Sequence, residues 1–212
     1  MEVKICGLTD PGEAVFLNEA GADYAGFVFF EKSKRNVTLA QTAEIQKVLH
    51  PRIKKVAVTV APEADLAKQI EDAGFDILQV HKSLDVKILE NISIPVWFAV
   101  NIADESQLQE KIAFLESLPE ALGNKITAIV VDGANYGGGE TFDWEKNNEI
   151  RKLSAFAKRQ FVLAGGLNEA NVTEGIQRFQ PDIVDVSSGV EGTCGKDRNK
   201  INAFIRKVRD YE

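Results

Sequence analysis

No apolar run in the chain approaches the roughly 18 residues that a bilayer-spanning helix needs. The opening residues, Met1-Glu2-Val3-Lys4-Ile5, read as the approach to a strand rather than as the apolar segment of a signal peptide. A soluble, cytoplasmic protein is expected, with no membrane as partner. Cysteine is scarce: Cys6 and Cys194 could pair in principle, but 2 cysteines in 212 residues do not form a disulfide framework. A reducing compartment is the simpler expectation, and it leaves Cys6 free to react. Positive charge is also short, since 25 Lys and Arg against 32 Asp and Glu give a net charge of -7. That balance provides no general attraction for nucleic acid, yet it permits a local basic site for phosphate or carboxylate. Only 6 prolines interrupt the chain, and no low-complexity linker or long repeat divides it. With 44% hydrophobic residues, positions 1–212 are expected to bury one core as one domain.

What is present is alternation. Short β-rich runs at Val3-Lys4-Ile5, Tyr24–Phe29, Lys54–Val60, Ile77–Val80, Pro95–Ala99, Ile126–Val131, Gln160–Ala164 and Ile183–Val186 read as strands. Helical patterns fall at Pro11–Ala20, Leu39–Leu49, Glu63–Ala73, Leu84–Asn91, Glu105–Leu118, Trp144–Lys158, Glu169–Phe179 and Asn199–Val208, each offering an apolar stripe. Such stripes cover the outside of a parallel sheet whose interior takes Ile, Val and other branched residues. The repetition predicts an α/β fold, a single-domain (β/α)8 TIM barrel, with a doubly wound sheet as the chief alternative.

Four of the apolar runs end in polar or glycine-rich residues: VKICGLT at 3–9, IVVDGANYGGGETFDW at 129–144, FVLAGGL at 161–167 and DIVDVSSGVE at 182–191. In a parallel barrel the carboxyl ends of the strands meet in one mouth, so these sites would converge there. The pattern points to an enzyme acting on a sugar phosphate. Taken in order, Lys4-Ile5-Cys6-Gly7-Leu8-Thr9, Gly26-Phe27-Val28-Phe29 with Ser33 and Arg35, Gln79-Val80-His81, Gly137-Gly138 before Phe142-Asp143-Trp144, Leu163-Ala164-Gly165-Gly166-Leu167 and Asp185-Val186-Ser187-Ser188-Gly189-Val190-Glu191 resemble the phosphoribosylanthranilate isomerase family of tryptophan biosynthesis over nearly the whole chain. Any one of these pieces is weak; their combination after several different strands is not.

The resemblance implies an Amadori rearrangement that turns an N-linked phosphoribosyl amine into an open-chain ketose without a cofactor. Two proton transfers carry it, and they need two groups in different protonation states. By this resemblance Cys6 is the general base and Asp132 the general acid. Only the thiolate of Cys6 can accept a proton, so it needs a cationic neighbour, backbone donors or a helix N-terminus, none of which the sequence locates. Asp132 must hold a proton that an ordinary aspartate gives up, which calls for a partly closed pocket. The competing readings are a packing cysteine and a loop-closing aspartate. Arg35 matches the arginine that grips the anthranilate carboxylate with its planar fork. The alternative there is a solvated basic loop of Lys32, Lys34 and Arg35. Phosphate is expected on the opposite side of the mouth, on backbone amides near Gly165, Gly166, Ser188 and Gly189, with a short helix after Ser188 pointing its N-terminus at the anion. Asp185 and His81 are expected to contact substrate rather than transfer protons. For His81 a purely structural role is almost as strong, and His50 is assigned none.

No metal is expected, because Cys6, His81, Asp132 and Asp185 lack a recognisable ligand spacing. The acidic stretch Glu140–Glu149 reads as a solvated helix start, anchored by Phe142 and Trp144. Several positions depart from the family pattern. Lys82 stands where glycine usually follows the histidine, Thr59-Val60-Ala61-Pro62 replaces a Phe-Val-Asn character, Trp97-Phe98-Ala99-Val100 lacks a common lysine, and Gly137-Gly138-Gly139-Glu140 replaces Gly-Gly-Thr-Gly. Two other functions compete. A histidine-pathway phosphoribosyl isomerase would normally use an aspartate in place of Cys6, and a phosphate-metabolite-binding barrel would bind without turnover. The expected partner is the small phosphorylated ribosyl-anthranilate, bound by a monomer or homodimer.

Overall fold

The computed structural model describes residues 1–101, 105–132 and 159–211. Strands β1 (Glu2–Cys6), β2 (Tyr24–Phe29), β3 (Lys54–Val60), β4 (Ile77–His81), β5 (Val96–Asn101), β6 (Ile126–Asp132), β7 (Gln160–Leu163) and β8 (Ile183–Val186) close into a barrel in chain order. All pairings are parallel, and β1 joins β2 on one side and β8 on the other, so the barrel has no open edge. Closure decides against the doubly wound sheet, whose two edges would be left exposed. The expected strands lie within two residues of those observed, and the (β/α)8 barrel is the fold.

The helices are α1 (Pro11–Ala20), α2 (Leu39–Val48), α3 (Ala64–Asp72), α4 (Val86–Asn91), α5 (Glu105–Ser117), α6 (Glu120–Gly123), α7 (Val172–Phe179) and α8 (Arg198–Arg209). Local chemistry sets their starts. Asp10 and Glu13 form a capping box at α1, behind Pro11, and Thr38 with Gln41 does the same at α2. Asp197 caps α8 by accepting from the amides of Asn199 and Lys200. At α4, Asp85 accepts from Lys87, so the helix begins at Val86 and not at Leu84. At α7, Asn168 and Asn171 hold residues 168–171 in a bonded turn, which delays the helix from Glu169 to Val172. The one-turn α6 and a two-stranded antiparallel hairpin of β9 (Glu191–Gly192) and β10 (Gly195–Lys196) are too short for periodicity to reveal. The expected helix at 144–158 and the glycine run at 137–140 lie outside the described residues.

Alternation along each strand divides the core in two. One parity, with Val3, Ile5, Phe27, Leu78, Phe98, Ile129, Leu163 and Val184, packs outward under the helices. The other fills the barrel with Tyr24, Val56, Val58, Ile77, Trp97, Val130, Val162 and Ile183. Branched residues dominate this interior as expected, but Trp97 and Tyr24 also sit inside, edge to face with ring centroids 5.0 Å apart. Ala99, Ala128 and Ala164 in the same cluster leave room for them, while Gly26 leaves room for Cys6, whose Sγ would lie 2.8 Å from a Cβ there. Among the described residues no helix is long and apolar enough to cross a membrane.

Candidate active site

The inward parity that builds the lower core also delivers the polar side chains to the upper mouth. Cys6, His81 and Asp132 are the last residues of β1, β4 and β6, and Asp185 is one short of the end of β8. Together with Arg35, Gly165, Gly166 and Ser188 they line one cavity of about 340 Å3. Gly189 lies just behind the wall: a Cβ there would stand 2.0 Å from the carbonyl oxygen of Leu167, so only glycine lets the two turns pack. Cys6 and Cys194 are both free thiols, the first buried and the second exposed.

Two buried lysines flank Cys6. Lys4, two residues back on the same face of β1, is paired in register with Asp185, and its Nζ donates to Asp185 Oδ2 at 2.8 Å. Lys196, on β10, donates through Nζ to Ser187 O at 3.0 Å, to Ser187 Oγ at 3.3 Å and to Glu191 at 3.2 Å. Ser187 Oγ in turn donates to the carbonyl of Cys6 at 2.9 Å. Burial pushes the Cys6 thiol up; Lys4 and Lys196 pull it down without cancelling that cost, and Asp185 adds to it. For Lys4 burial favours the neutral amine, but Asp185 and Cys6 outweigh it and keep the ammonium pKa above the ordinary value. Lys196 is shifted the other way, down, by its own burial.

Arg35 projects from the β2–α2 loop, which is stapled by Asn36 Oδ1 accepting from Phe30 N at 2.8 Å and Ser33 Oγ accepting from Arg35 N at 3.1 Å. Its Nε donates to Glu191, which also accepts from Lys34 at 2.9 Å. The guanidinium makes no other hydrogen bond among the described residues. The Glu191 carboxyl loses by burial but gains more from Arg35, Lys34 and Lys196, and is held down to about 2. Arg35 does not stand straight across the mouth from the β8 turn. Its Cδ and Ser187 Oγ approach the same face of Gly7, and Glu191 ties it to that turn, because the β9–β10 hairpin folds back against the start of α1, where Lys196 N donates to Glu13. The Gly165-Gly166 turn is farther away, after β7, three strands round the ring from β2.

At that turn Gly165 and Gly166 both take left-handed backbone, with φ of 85° and 67°. Asn171 Nδ2 donates to the Gly166 carbonyl at 3.0 Å and fixes the turn. The short helix expected after Ser188 is only a three-residue 3-10 turn, Ser188–Val190. An anion at this corner would therefore meet a few local amides rather than the dipole of a helix, since a single turn aligns too few peptides.

His81 is buried and its Nε2 lies 2.9 Å from Gln79 Nε2, whose amide hydrogen it accepts. Burial, with help from Lys4 and Lys111, pushes its pKa down to about 3, so the ring is neutral at physiological pH. Gln79 Oε1 and Asp185 Oδ1 are buried acceptors with no hydrogen-bond partner among the described residues, and both residues line the cavity. Lys82, where the family pattern has glycine, takes left-handed backbone at φ 61°, and Ala61 also takes it at φ 44°. Lys4, Gln79, Lys196 and Glu191 were not singled out from sequence as site residues. For Lys4 and Gln79 the signal was available, since each is two residues before an expected site residue on the same strand face. Lys196 had none.

The chain matches the N-(5'-phosphoribosyl)anthranilate (PRA) isomerase family profile over residues 3–207. It is 38% identical to the N-(5'-phosphoribosyl)anthranilate isomerase of Streptococcus gordonii, covering 99% of this chain and 98% of that one. The enzyme of Streptococcus mutans is also 38% identical, covering 98% of each. A phosphoribosyl anthranilate isomerase from Thermotoga maritima superposes with a TM-score of 0.83 at 32% identity, covering 99% of both chains. A phosphoribosyl anthranilate isomerase in complex with reduced 1-(o-carboxyphenylamino)-1-deoxyribulose 5-phosphate superposes at 0.80 with 31% identity, again over 99% of both. Barrel, strand-end residues and near full-length similarity agree: the chain belongs to the N-(5'-phosphoribosyl)anthranilate isomerase family.

Proposed function

We propose that the cavity performs the Amadori rearrangement of N-(5-phosphoribosyl)anthranilate to 1-(2-carboxyphenylamino)-1-deoxyribulose 5-phosphate in tryptophan biosynthesis, with Cys6 as base and Asp132 as acid. The observation that carries this is a buried thiol flanked by two lysines, in one cavity with an aspartate from the sixth strand. Asp132 gives its proton to the furanose ring oxygen as the C1′–O bond breaks, leaving a cationic Schiff base at C1′ and a carboxylate. The Cys6 thiolate then takes the C2′ proton, and the freed electron pair neutralises the Schiff base as an enolamine, which tautomerises to the ketone. Burial disfavours the thiolate while Lys4 and Lys196 favour it, and the reacting form is the one in which Cys6 has given its proton to solvent before the ring opens.

Arg35 takes the anthranilate carboxylate through its Nη groups, oriented by Glu191, and the amides at Gly165, Gly166, Ser188 and Gly189 take the phosphate. Neutral His81 and the open acceptor of Asp185 orient the amine and sugar. Held at both ends, the substrate presents C2′ to Cys6 without losing further rotational freedom in the transition state. The enzyme acts in the cytoplasm on this diffusible substrate, as a monomer or homodimer. The histidine-pathway and non-catalytic alternatives gain no support from the comparisons.

An anaerobic assay on freshly generated phosphoribosylanthranilate tests the reading. Wild-type protein should convert it, with loss of a C2′ deuterium label to solvent. Cys6→Ala should remain folded and lose nearly all turnover, and Asp132→Asn should do the same. Wild-type turnover in Cys6→Ala, or transfer of the whole label from C2′ to C1′ without exchange with solvent, would reject the assignment.

A further inference from the structure

Lys4 is wholly buried inside the barrel, whose apolar filling includes Tyr24, Val56 and Trp97. A buried ion pair is poor value for stability, because desolvation consumes most of the Coulombic gain and an apolar pair of similar shape often does as well. Its position suggests another use. Residues two apart on a strand share a face, so Lys4 lies one inward step below Cys6 on β1, and in register beside Asp185 on β8. Its one ammonium therefore holds the Asp185 carboxylate at 2.8 Å and lies one step below the Cys6 sulfur, whose charged form it favours.

The other groups around Cys6 do not replace it. Lys196 reaches over from β10 but is committed to Ser187 and Glu191. Arg35, from the β2–α2 loop, is tied to Glu191, His81 on β4 is neutral, and Asp132 on β6 carries no positive charge to offer.

We propose that Lys4 is a positioning residue of the isomerisation: its ammonium, steered by Asp185, holds the Cys6 thiolate in the state that accepts the C2′ proton. The proposal rests on the reading of Cys6 as base and adds the group that makes a buried thiol usable. Asp185 then has opposing effects. It anchors the lysine, and it competes with the thiolate for the same charge.

The test follows from those opposed signs. In a Cys194→Ser background, where Cys6 is the sole thiol, the full-length protein is titrated without substrate, by thiolate ultraviolet absorbance and by the rate of iodoacetamide alkylation against pH. Lys4→Met should move the Cys6 midpoint upward by at least about one pH unit, about a tenfold loss of thiolate at a given pH below it. Asp185→Asn should move it downward, because one negative charge disappears while the ammonium stays. Lys4→Arg should return it most of the way. The ascending limb of kcat/KM against pH should follow the midpoint in each variant, whereas a merely structural lysine would lower the plateau and leave the limb in place.

An unmoved midpoint in folded Lys4→Met overturns the proposal, as do shifts of the same sign in Lys4→Met and Asp185→Asn. Should Lys4→Met not fold, Asp185→Asn and Lys4→Arg decide: no downward shift in the first, or an upward shift in the second as large as a lost charge would give, overturns it. The titration needs no turnover. If Cys6→Ala retained activity, the base assignment would fail while the thiol titration still reported on Lys4.

Discussion

Replacing Glu191 by glutamine removes the negative charge on which Arg35, Lys34 and Lys196 converge, and keeps the size and one acceptor of the side chain. The carboxyl is held at about 2, against 4.5 for an ordinary glutamate. At about 1.4 kcal/mol per pH unit, the difference corresponds to roughly 3.4 kcal/mol. Lys34 is largely in solvent, with 72% of its side chain exposed, and contributes little. A working loss is therefore about 2–3 kcal/mol. In a chain of this size that lowers Tm by about 4–12 °C. The pH dependence follows from the depressed carboxyl. Its stabilisation is complete above the unfolded value of 4.5 and is lost as pH falls through about 2. At about pH 3 roughly 40% of it remains. Urea denaturation of both proteins from about pH 7 down to about pH 3 should show a gap that narrows to less than half. Since Glu191 also aims Arg35, KM should rise about tenfold with a smaller change in kcat. A stability gap that stays constant across that range, or no gap at neutral pH, would refute the reasoning.

Arg35→Lys keeps the charge but not the planar fork, so kcat/KM should fall about 10–100-fold, and discrimination against an uncharged aromatic analogue should weaken with it. Steady-state kinetics on both substrates check this, and unchanged discrimination would count against Arg35 as the carboxylate grip. Gly189→Ala forces a Cβ to within 2.0 Å of the Leu167 carbonyl. It should cost about 1–3 kcal/mol in urea denaturation and weaken inhibition by inorganic phosphate as the turn moves. Lys82→Gly relieves a left-handed lysine, and even after the extra backbone entropy of glycine it should stabilise by about 0.5–1 kcal/mol; a lower urea midpoint would contradict the strain argument.

Eight alternating strands and helices determine a parallel α/β fold almost by themselves, because each strand parity and each helix stripe must be buried, and the pairing of β1 with β8 then decides for the barrel over the doubly wound sheet. Cys6, Asp132 and Asp185 were legible as candidates from the family motifs around them and from their place at or next to strand ends, which converge in a parallel barrel. The lag in α7 and the hairpin at 191–196 escaped sequence reading because asparagine turns and two-residue strands carry no period. What only the tertiary structure decided is which charges meet. Lys4 and Asp185 are 181 positions apart and touch only because β8 closes against β1. Arg35 and Glu191, 156 positions apart, meet only because the hairpin after β8 folds back toward the β2–α2 loop. Periodicity reports burial, a property of one residue and its strand, whereas a thiol's ionisation depends on distances between residues that the chain brings together only when the ring closes.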